Sequence, residues 1–205
     1  MSFDLYTYIG ESNKGLLNRW EQCLEQAGID CHIPDDYDFS NLDSTRKIKC
    51  RLYPPLAEAG TFVDDCDFII EPMPVDRMRI HELIESTHDI SLIEKLKSAQ
   101  YEVVINTNES DSDDVAMKII CFASAALANA FDGILFDPQE YGAVSGAKVY
   151  DVARFYCQPQ PSKQQQKPMQ EKYEQQKPQE ESTVIVRFIF IAIFVFLLIR
   201  VLGKL

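Results

Sequence analysis

Basic residues are in deficit: the 205-residue chain carries 20 Lys and Arg against 32 Asp and Glu, a formal net charge of −12, and its isoelectric point lies near 4.7. Sequence-independent nucleic-acid binding needs Lys and Arg to displace counterions from phosphates, so that class is excluded and a basic or neutral partner fits better. Cysteine is too sparse for a disulfide scaffold, with six residues and no Cys-x-x-Cys pair of the kind that nucleates a structural zinc site. There is no Gly-x-Ser-x-Gly nucleophile elbow. Gly10-Glu-Ser-Asn-Lys-Gly15 continues into Leu16 and Leu17, where a phosphate-binding loop needs Lys and then Ser or Thr. The segment reads instead as a turn and a helix start. None of the acidic clusters has both the sixth-position glycine and the distal glutamate of a calcium loop. No cofactor or metal is expected on these grounds. The residues after Met1 lack the basic region and apolar run of a signal peptide, so the N-terminal part is expected to stay in the compartment where it is made.

What is present divides into three parts. Hydrophobic residues make up 46% of the chain and charged residues 25%, which suits one folded domain with its own core. Residues 1–157 have that mixed character. Over 158–183 the composition turns to Gln, Lys, Glu and Pro, with Met169 and Tyr173 among the few larger apolar groups. Such a stretch buries too little to offset its ordering entropy, so a disordered, extended linker is expected. Within it Gln165-Gln-Lys-Pro168 recurs as Gln175-Gln-Lys-Pro178, which is the mark of a duplicated spacer.

The third part, 184–202, is apolar throughout except for Arg187 and Arg200, and residues 188–199 carry no polar side-chain atom. Nineteen helical residues span about 28 Å, close to the roughly 30 Å of a bilayer's hydrocarbon. A transmembrane helix is therefore expected, with Phe188, Phe194 and Leu198 in lipid and the two arginines reaching the headgroups from its ends. Lys163, Lys167, Lys172, Lys177 and Arg187 precede the core of the run, against Arg200 and Lys204 after it. That imbalance puts the N-terminal side in the cytoplasm. The layout is that of a tail-anchored, single-pass protein, at the inner membrane in a bacterium or at the mitochondrial outer membrane or endoplasmic reticulum in a eukaryote. In a reducing compartment the six cysteines are expected as buried thiols.

Within 1–157 the periodicities predict an α+β domain of two layers, with helices on one face of a mainly antiparallel sheet. Alternation over 3–9 predicts a strand, and Leu16, Leu17, Trp20, Cys23, Leu24 and Ala27 predict a helix closed by Gly28. Further strands are expected near 30–33, 47–52, 66–70, 101–107 and 133–136. Helices are expected after Pro74, through Leu92 to Leu96, and over 112–131. The alternation of Lys47, Lys49 and Arg51 with apolar residues gives one strand a wet, positive face.

Candidate functional residues are acidic. Residues 1–157 carry 13 Lys and Arg against 28 Asp and Glu, and the clusters at Asp35, Asp36 and Asp38 and at Asp64, Asp65 and Asp67 could steer a basic protein partner. Asp137 joins them. The passage Ala128-Asn-Ala-Phe-Asp-Gly-Ile-Leu-Phe-Asp-Pro-Gln139 runs from a helix end through Asp-Gly into a strand that stops at Asp-Pro. It resembles the end of small bacterial α+β domains found among toxin-immunity and uncharacterised proteins, and that resemblance implies a partner-binding role. A helix cap followed by an edge strand accounts for Gly133 and Pro138 equally. The main reading is thus a membrane-anchored protein-binding module, adaptor-like or immunity-like. The alternative is a membrane-tethered enzyme whose carboxylate Asp137 meets His32 or His81 in the fold. His81 and His88, seven apart, would share a helix face but lack an evident third metal ligand.

Overall fold

The computed structural model describes residues 5–41, 45–107 and 113–158. The expected anchor 184–202, with Arg187, Phe188, Phe194, Leu198 and Arg200, lies outside the described residues, as does the linker beyond Gln158. Among the described residues, no helix is long and apolar enough to cross a membrane.

Seven strands and five helices follow one another as β1 (Tyr6–Ile9), α1 (Lys14–Ala27), β2 (Ile29–Cys31), β3 (Arg46–Leu52), β4 (Val63–Met73), α2 (Arg77–Ser86), α3 (Ile90–Ser98), β5 (Tyr101–Asn106), α4 (Asp113–Ala130), β6 (Ile134–Asp137), β7 (Gly142–Ser145) and α5 (Lys148–Cys157). The strands form one sheet in the order β2-β3-β4-β5-β1-β6-β7, and neighbours pair antiparallel throughout. The fold is α+β with an antiparallel sheet.

Two differences from the sequence reading concern its right-hand end. A hairpin strand, β7, and a further helix, α5, follow β6, so β6 is an interior strand and β7 the edge. Helices also lie on both faces. Helices α1, α4 and α5 pack with Leu5, Ile9, Phe68, Val103 and Leu135 on one side, while Ile80, Leu92 and Leu96 of α2 and α3 pack with Tyr8 and Ile134 on the other. The reason is β1. It sits between β5 and β6, and its residues are buried alternately toward each side, Thr7 and Ile9 one way and Tyr8 the other. A strand with apolar groups on both faces demands cover on both. Across β3 the expectation of one covered face holds: Ile48, Cys50 and Leu52 are buried, while Lys47, Lys49 and Arg51 are exposed.

The main core is built around an aromatic group. Trp20 of α1 lies 6.1 Å from Phe39 and 6.3 Å from Phe68, measured between ring centres. Phe39 also meets Phe131 edge-on at 5.5 Å and Tyr37 at 4.9 Å. The stretch that carries the acidic cluster Asp35, Asp36 and Asp38 thus continues into a fully buried ring in the core, and such contacts fix it in place. On the opposite face α2 is pinned by a carboxylate. Buried Glu102 accepts from the Arg79 guanidinium at 2.9 Å and from the Asp76 N–H at 3.0 Å, while the Arg79 guanidinium lies 4.2 Å over the Tyr6 ring.

The Asp-Gly after α4 divides its work differently from the expected glycine cap. Asp132 takes the left-handed position at φ 49°, and the Gly133 N–H closes the helix on the Ala128 carbonyl at 2.7 Å, a Schellman arrangement. Gly133 is needed because a Cβ there would stand 2.4 Å from the Tyr8 carbonyl oxygen. Gly133→Ala is therefore expected to push β6 away from β1 and lose about 1–3 kcal/mol, seen as a lower urea midpoint. The opposite face carries a pH signature. Burial pushes the Tyr8 phenol from 10.0 up to about 12, so the folded state favours its neutral form. That stabilisation is whole below about pH 10 and lost as pH rises toward 12. Tyr8→Phe should show a shallower loss of stability across that window than wild type, measured by denaturant titration at each pH.

Candidate functional site

Three helices and one loop enclose a cleft of about 490 Å³, within the usual range for small-ligand sites. Its apolar walls are Ala27 at the end of α1, Phe122 on α4, and Pro55 and Leu56 from the loop after β3. The loop is held against α1 by Gly28, whose φ of 93° ends that helix and whose missing Cβ leaves room for the Tyr53 carbonyl. The Pro54–Pro55 peptide in this loop is cis. Amphipathic α5 completes the cleft: Val149, Val152 and Ala153 face the core, and Tyr150, Arg154 and Cys157 line the opening.

The polar groups of the cleft come in linked pairs. At the mouth, Lys118 is paired with Asp114 at 2.6 Å and Arg154 with Asp151 at 3.0 Å, so the rim is zwitterionic. Deeper in, the Asn129 amide donates to the Cys23 sulfur at 3.4 Å, and burial beside Cys23 pushes the Tyr150 phenol up to about 12. Near the end of α5, the buried Cys121 thiol donates to the half-buried Cys157 sulfur. That hydrogen bond, aided by the Lys118 ammonium and opposed by burial, lowers Cys157 below the ordinary thiol value. The same bond, with burial, raises Cys121. No single residue type in this cleft forms a recognisable motif along the chain, because its parts come from α1, α4, α5 and a loop.

The acidic candidates lie elsewhere. A shallow hollow of about 610 Å³ at the β2 edge is bounded by Asp30, His32, Lys49, Arg51, Asp64 and Asp65. Asp64 and Asp65 are the two residues of a β-bulge that oppose Arg51 alone, since Cys50 pairs with Cys66 and Leu52 with Val63. The bulge turns Asp64 onto Arg51, with which it forms an ion pair, and holds Asp65 at φ 59°. A hydrogen bond from Lys14 at 2.6 Å holds the exposed Asp35 carboxyl below the usual range. Of the sequence clusters, Asp64 and Asp65 bound this hollow with Asp30, and they are interleaved with Lys49 and Arg51, so the edge is mixed in sign. Asp36 is exposed, and Asp38 caps its own turn on Ser40. Asp67 is nearly buried against Lys47 at 2.5 Å.

Asp137 is not a surface group. It is 1% exposed and accepts from the Gln139 N–H at 2.8 Å, the Tyr141 N–H at 3.2 Å and the Tyr156 hydroxyl at 2.8 Å. It closes the β6–β7 turn and ties that turn to α5, which explains its place before Pro138 and rules out direct contact with a partner. The geometry also separates it from both histidines proposed for an enzyme. His32 follows β2, five strand spacings from β6 or about 24 Å, and bonds Glu21 at 2.9 Å. His81 stands on α2, across the sheet from the face to which Asp137 points, and pairs with Glu85 at 3.2 Å. His88 lies beyond the end of α2. Among the described residues, no three His, Cys, Asp or Glu side chains gather closely enough to hold a metal ion.

No protein-family model matches the chain, and neither does any curated protein or solved structure.

The roles assigned to Asp137 and Tyr156 predict unequal losses. Asp137→Ala would leave two backbone donors and a phenol without their acceptor, and should cost about 3 kcal/mol or more, whereas Tyr156→Phe should cost about 1–2 kcal/mol. Urea denaturation of both variants checks this. A loss below about 0.5 kcal/mol for Asp137→Ala, as for an ordinary surface change, would contradict the buried role.

Proposed function

We propose that the chain is a single-pass membrane protein whose acidic N-terminal domain is a protein-binding module, adaptor-like or immunity-like, held at the cytoplasmic face by residues 184–202. The observation that carries this reading is the apolar run 188–199, framed by Arg187 and Arg200 and preceded by a polar spacer rich in Gln, Lys and Pro. A flexible tether keeps a domain at roughly millimolar effective concentration relative to neighbours in the same membrane, so its contacts need not be tight alone. The surface favoured for docking is the β2-edge hollow, where Asp30, Asp64 and Asp65 stand around His32 and Arg51. Residues 1–157 carry a large acidic excess, so a basic partner, such as a cationic toxin, is the complementary kind.

Two measurements test the two halves of the proposal. Full-length protein expressed in cells should sediment with membranes and resist high salt and alkaline carbonate, while a chain lacking 184–202 should not; full-length protein left in the supernatant overturns the anchor. For the docking half, a fluorescent Lys-rich peptide should bind the full-length protein in detergent with an affinity that falls as salt rises, and a Glu-rich peptide should not bind. Asp64→Asn with Asp65→Asn should weaken the Lys-rich peptide roughly 2- to 10-fold. Equal binding by the double variant overturns the hollow as the docking surface.

A further inference from the structure

The cleft enclosed by α1, α4, α5 and the loop after β3 stands apart from the rest of the domain in its charge. Residues 1–157 hold 28 Asp and Glu against 13 Lys and Arg, yet among the described residues neither Asp nor Glu lines this cleft, while Lys118 and Arg154 do. Their ion-pair partners stand outside it. The Asp114 and Asp151 side chains are 67% and 65% exposed, whereas Lys118 is only 24% exposed. The two carboxylates thus face water, and the Lys118 side chain is the member drawn under cover.

The uncharged walls are ordered along α4. Lys118, Phe122 and Asn129 all line the cleft, and their spacing of four and then seven residues puts them on one helix face. Lys118 and Asn129 are eleven residues apart, about 16 Å along the axis. A cation therefore stands at one end, a neutral amide at the other, and an aromatic ring between them. Leu56 and Pro55 add apolar surface from the loop.

These features select a class of ligand. The ring and the loop residues favour an apolar body, whose burial releases the water that wets them. The cations favour an anionic head, held more strongly in a partly enclosed cleft than on open surface. Asp114 and Asp151 already offset part of the positive charge, so a head with one negative charge suits the site better than a phosphate monoester with nearly two. A carboxylate has that single charge, and its two oxygens match the guanidinium fork. At roughly 30 Å³ for each liquid water, the 490 Å³ of the cleft leaves ample room for a body of about ten carbons.

We propose that the α4–α5 cleft binds a small amphipathic carboxylate, its apolar body laid along α4 over Phe122 and its head taken by Lys118 and Arg154. A bound ligand bridges α4 and α5. This inference depends on neither the membrane anchor nor the β2-edge hollow.

The test uses full-length protein in a nonionic detergent, titrated by calorimetry with 4-phenylbutyrate, 4-phenylbutanamide and 4-phenylbutylamine, each corrected against protein-free micelles. The three probes share a body and differ in the charge of the head. The carboxylate should bind at one site with a roughly millimolar dissociation constant, as befits so few atoms. The amide should bind at least about 5-fold more weakly, and the ammonium more weakly still. Lys118→Gln with Arg154→Gln should bring the carboxylate down to the affinity of the amide and leave the amide unchanged. Position is read from cysteine labelling. Cys157 lines the cleft and Cys31 lines the β2-edge hollow, both half-buried, so saturating 4-phenylbutyrate should slow N-ethylmaleimide at Cys157 several-fold and leave the rate at Cys31 unchanged. No binding by the carboxylate, equal binding by the amide or the ammonium, or a Cys157 rate that the ligand does not change would each overturn the proposal. The wild-type probe series and labelling decide the matter by themselves if the double variant fails to fold.

Discussion

The arrangement of this domain depends on one constraint, that β1 has no side on which water is admitted. Thr7 and Ile9 point into the core under α4, and Tyr8 points into the cluster under α2 and α3, each almost wholly buried. An antiparallel sheet commonly leaves one face wet. Placing a two-sided apolar strand between β5 and β6 removes that freedom and forces helices onto both faces at that end of the sheet. The same placement brings the Tyr8 carbonyl against Gly133, where a Cβ would stand 2.4 Å from its oxygen. It also requires a polar group near Tyr8, and the ion pair of Glu102 with Arg79 supplies one while fixing α2.

Most of this was legible in the residue pattern, and the failures have physical causes. Elements with a single periodicity and a clear terminator were read well: α1 has its apolar stripe, an Asn13 cap and Gly28, and β3 alternates cleanly. The missed pieces, β7 and α5, are short and lie beside a long polar tract, where composition outweighs pattern. The signal was nonetheless there. From Cys121 to Ala128 α4 is buried on all sides, and a helix without a polar face needs neighbours around it. Val149, Val152, Ala153 and Tyr156 recur at three- and four-residue spacing and supply that neighbour. Phe39 was harder to place, because it and Tyr37 are set among Asp35, Asp36 and Asp38, and two aromatics in so short an acidic stretch give too little periodicity to betray their burial.

The candidate site shows the same limit more sharply. Local composition located the acidic clusters but not their partners, because Lys14, Lys47 and Arg51 reach them through cross-strand and inter-element contacts. Pairing changes what the carboxylates can do. An aspartate already matched to a cation offers a partner less field than an isolated one, and its contribution is screened further at the surface. Asp137 fails differently: its neighbours in sequence made it look exposed, whereas its three hydrogen bonds make it a structural acceptor. The cleft was invisible for a third reason, since residues from four separate segments meet there.

These strengths bear on how a weakly charged edge could serve as a docking surface. Exposed ion pairs contribute about 0.2–1 kcal/mol each, and a few of them do not hold two proteins together at micromolar concentrations. The same few suffice once both molecules share a membrane, because a short flexible tether raises the effective concentration to roughly millimolar and lowers the required affinity accordingly. A mixed-sign edge is then an advantage. On the proposed reading, Asp30, Asp64 and Asp65 would attract a basic surface while Lys49 and Arg51, which line the same hollow, would penalise one whose cations are wrongly spaced, so that selectivity would come from the spacing of charges and not from their sum. Under the proposed anchoring, the linker would supply encounter and the edge discrimination, with no large apolar interface required.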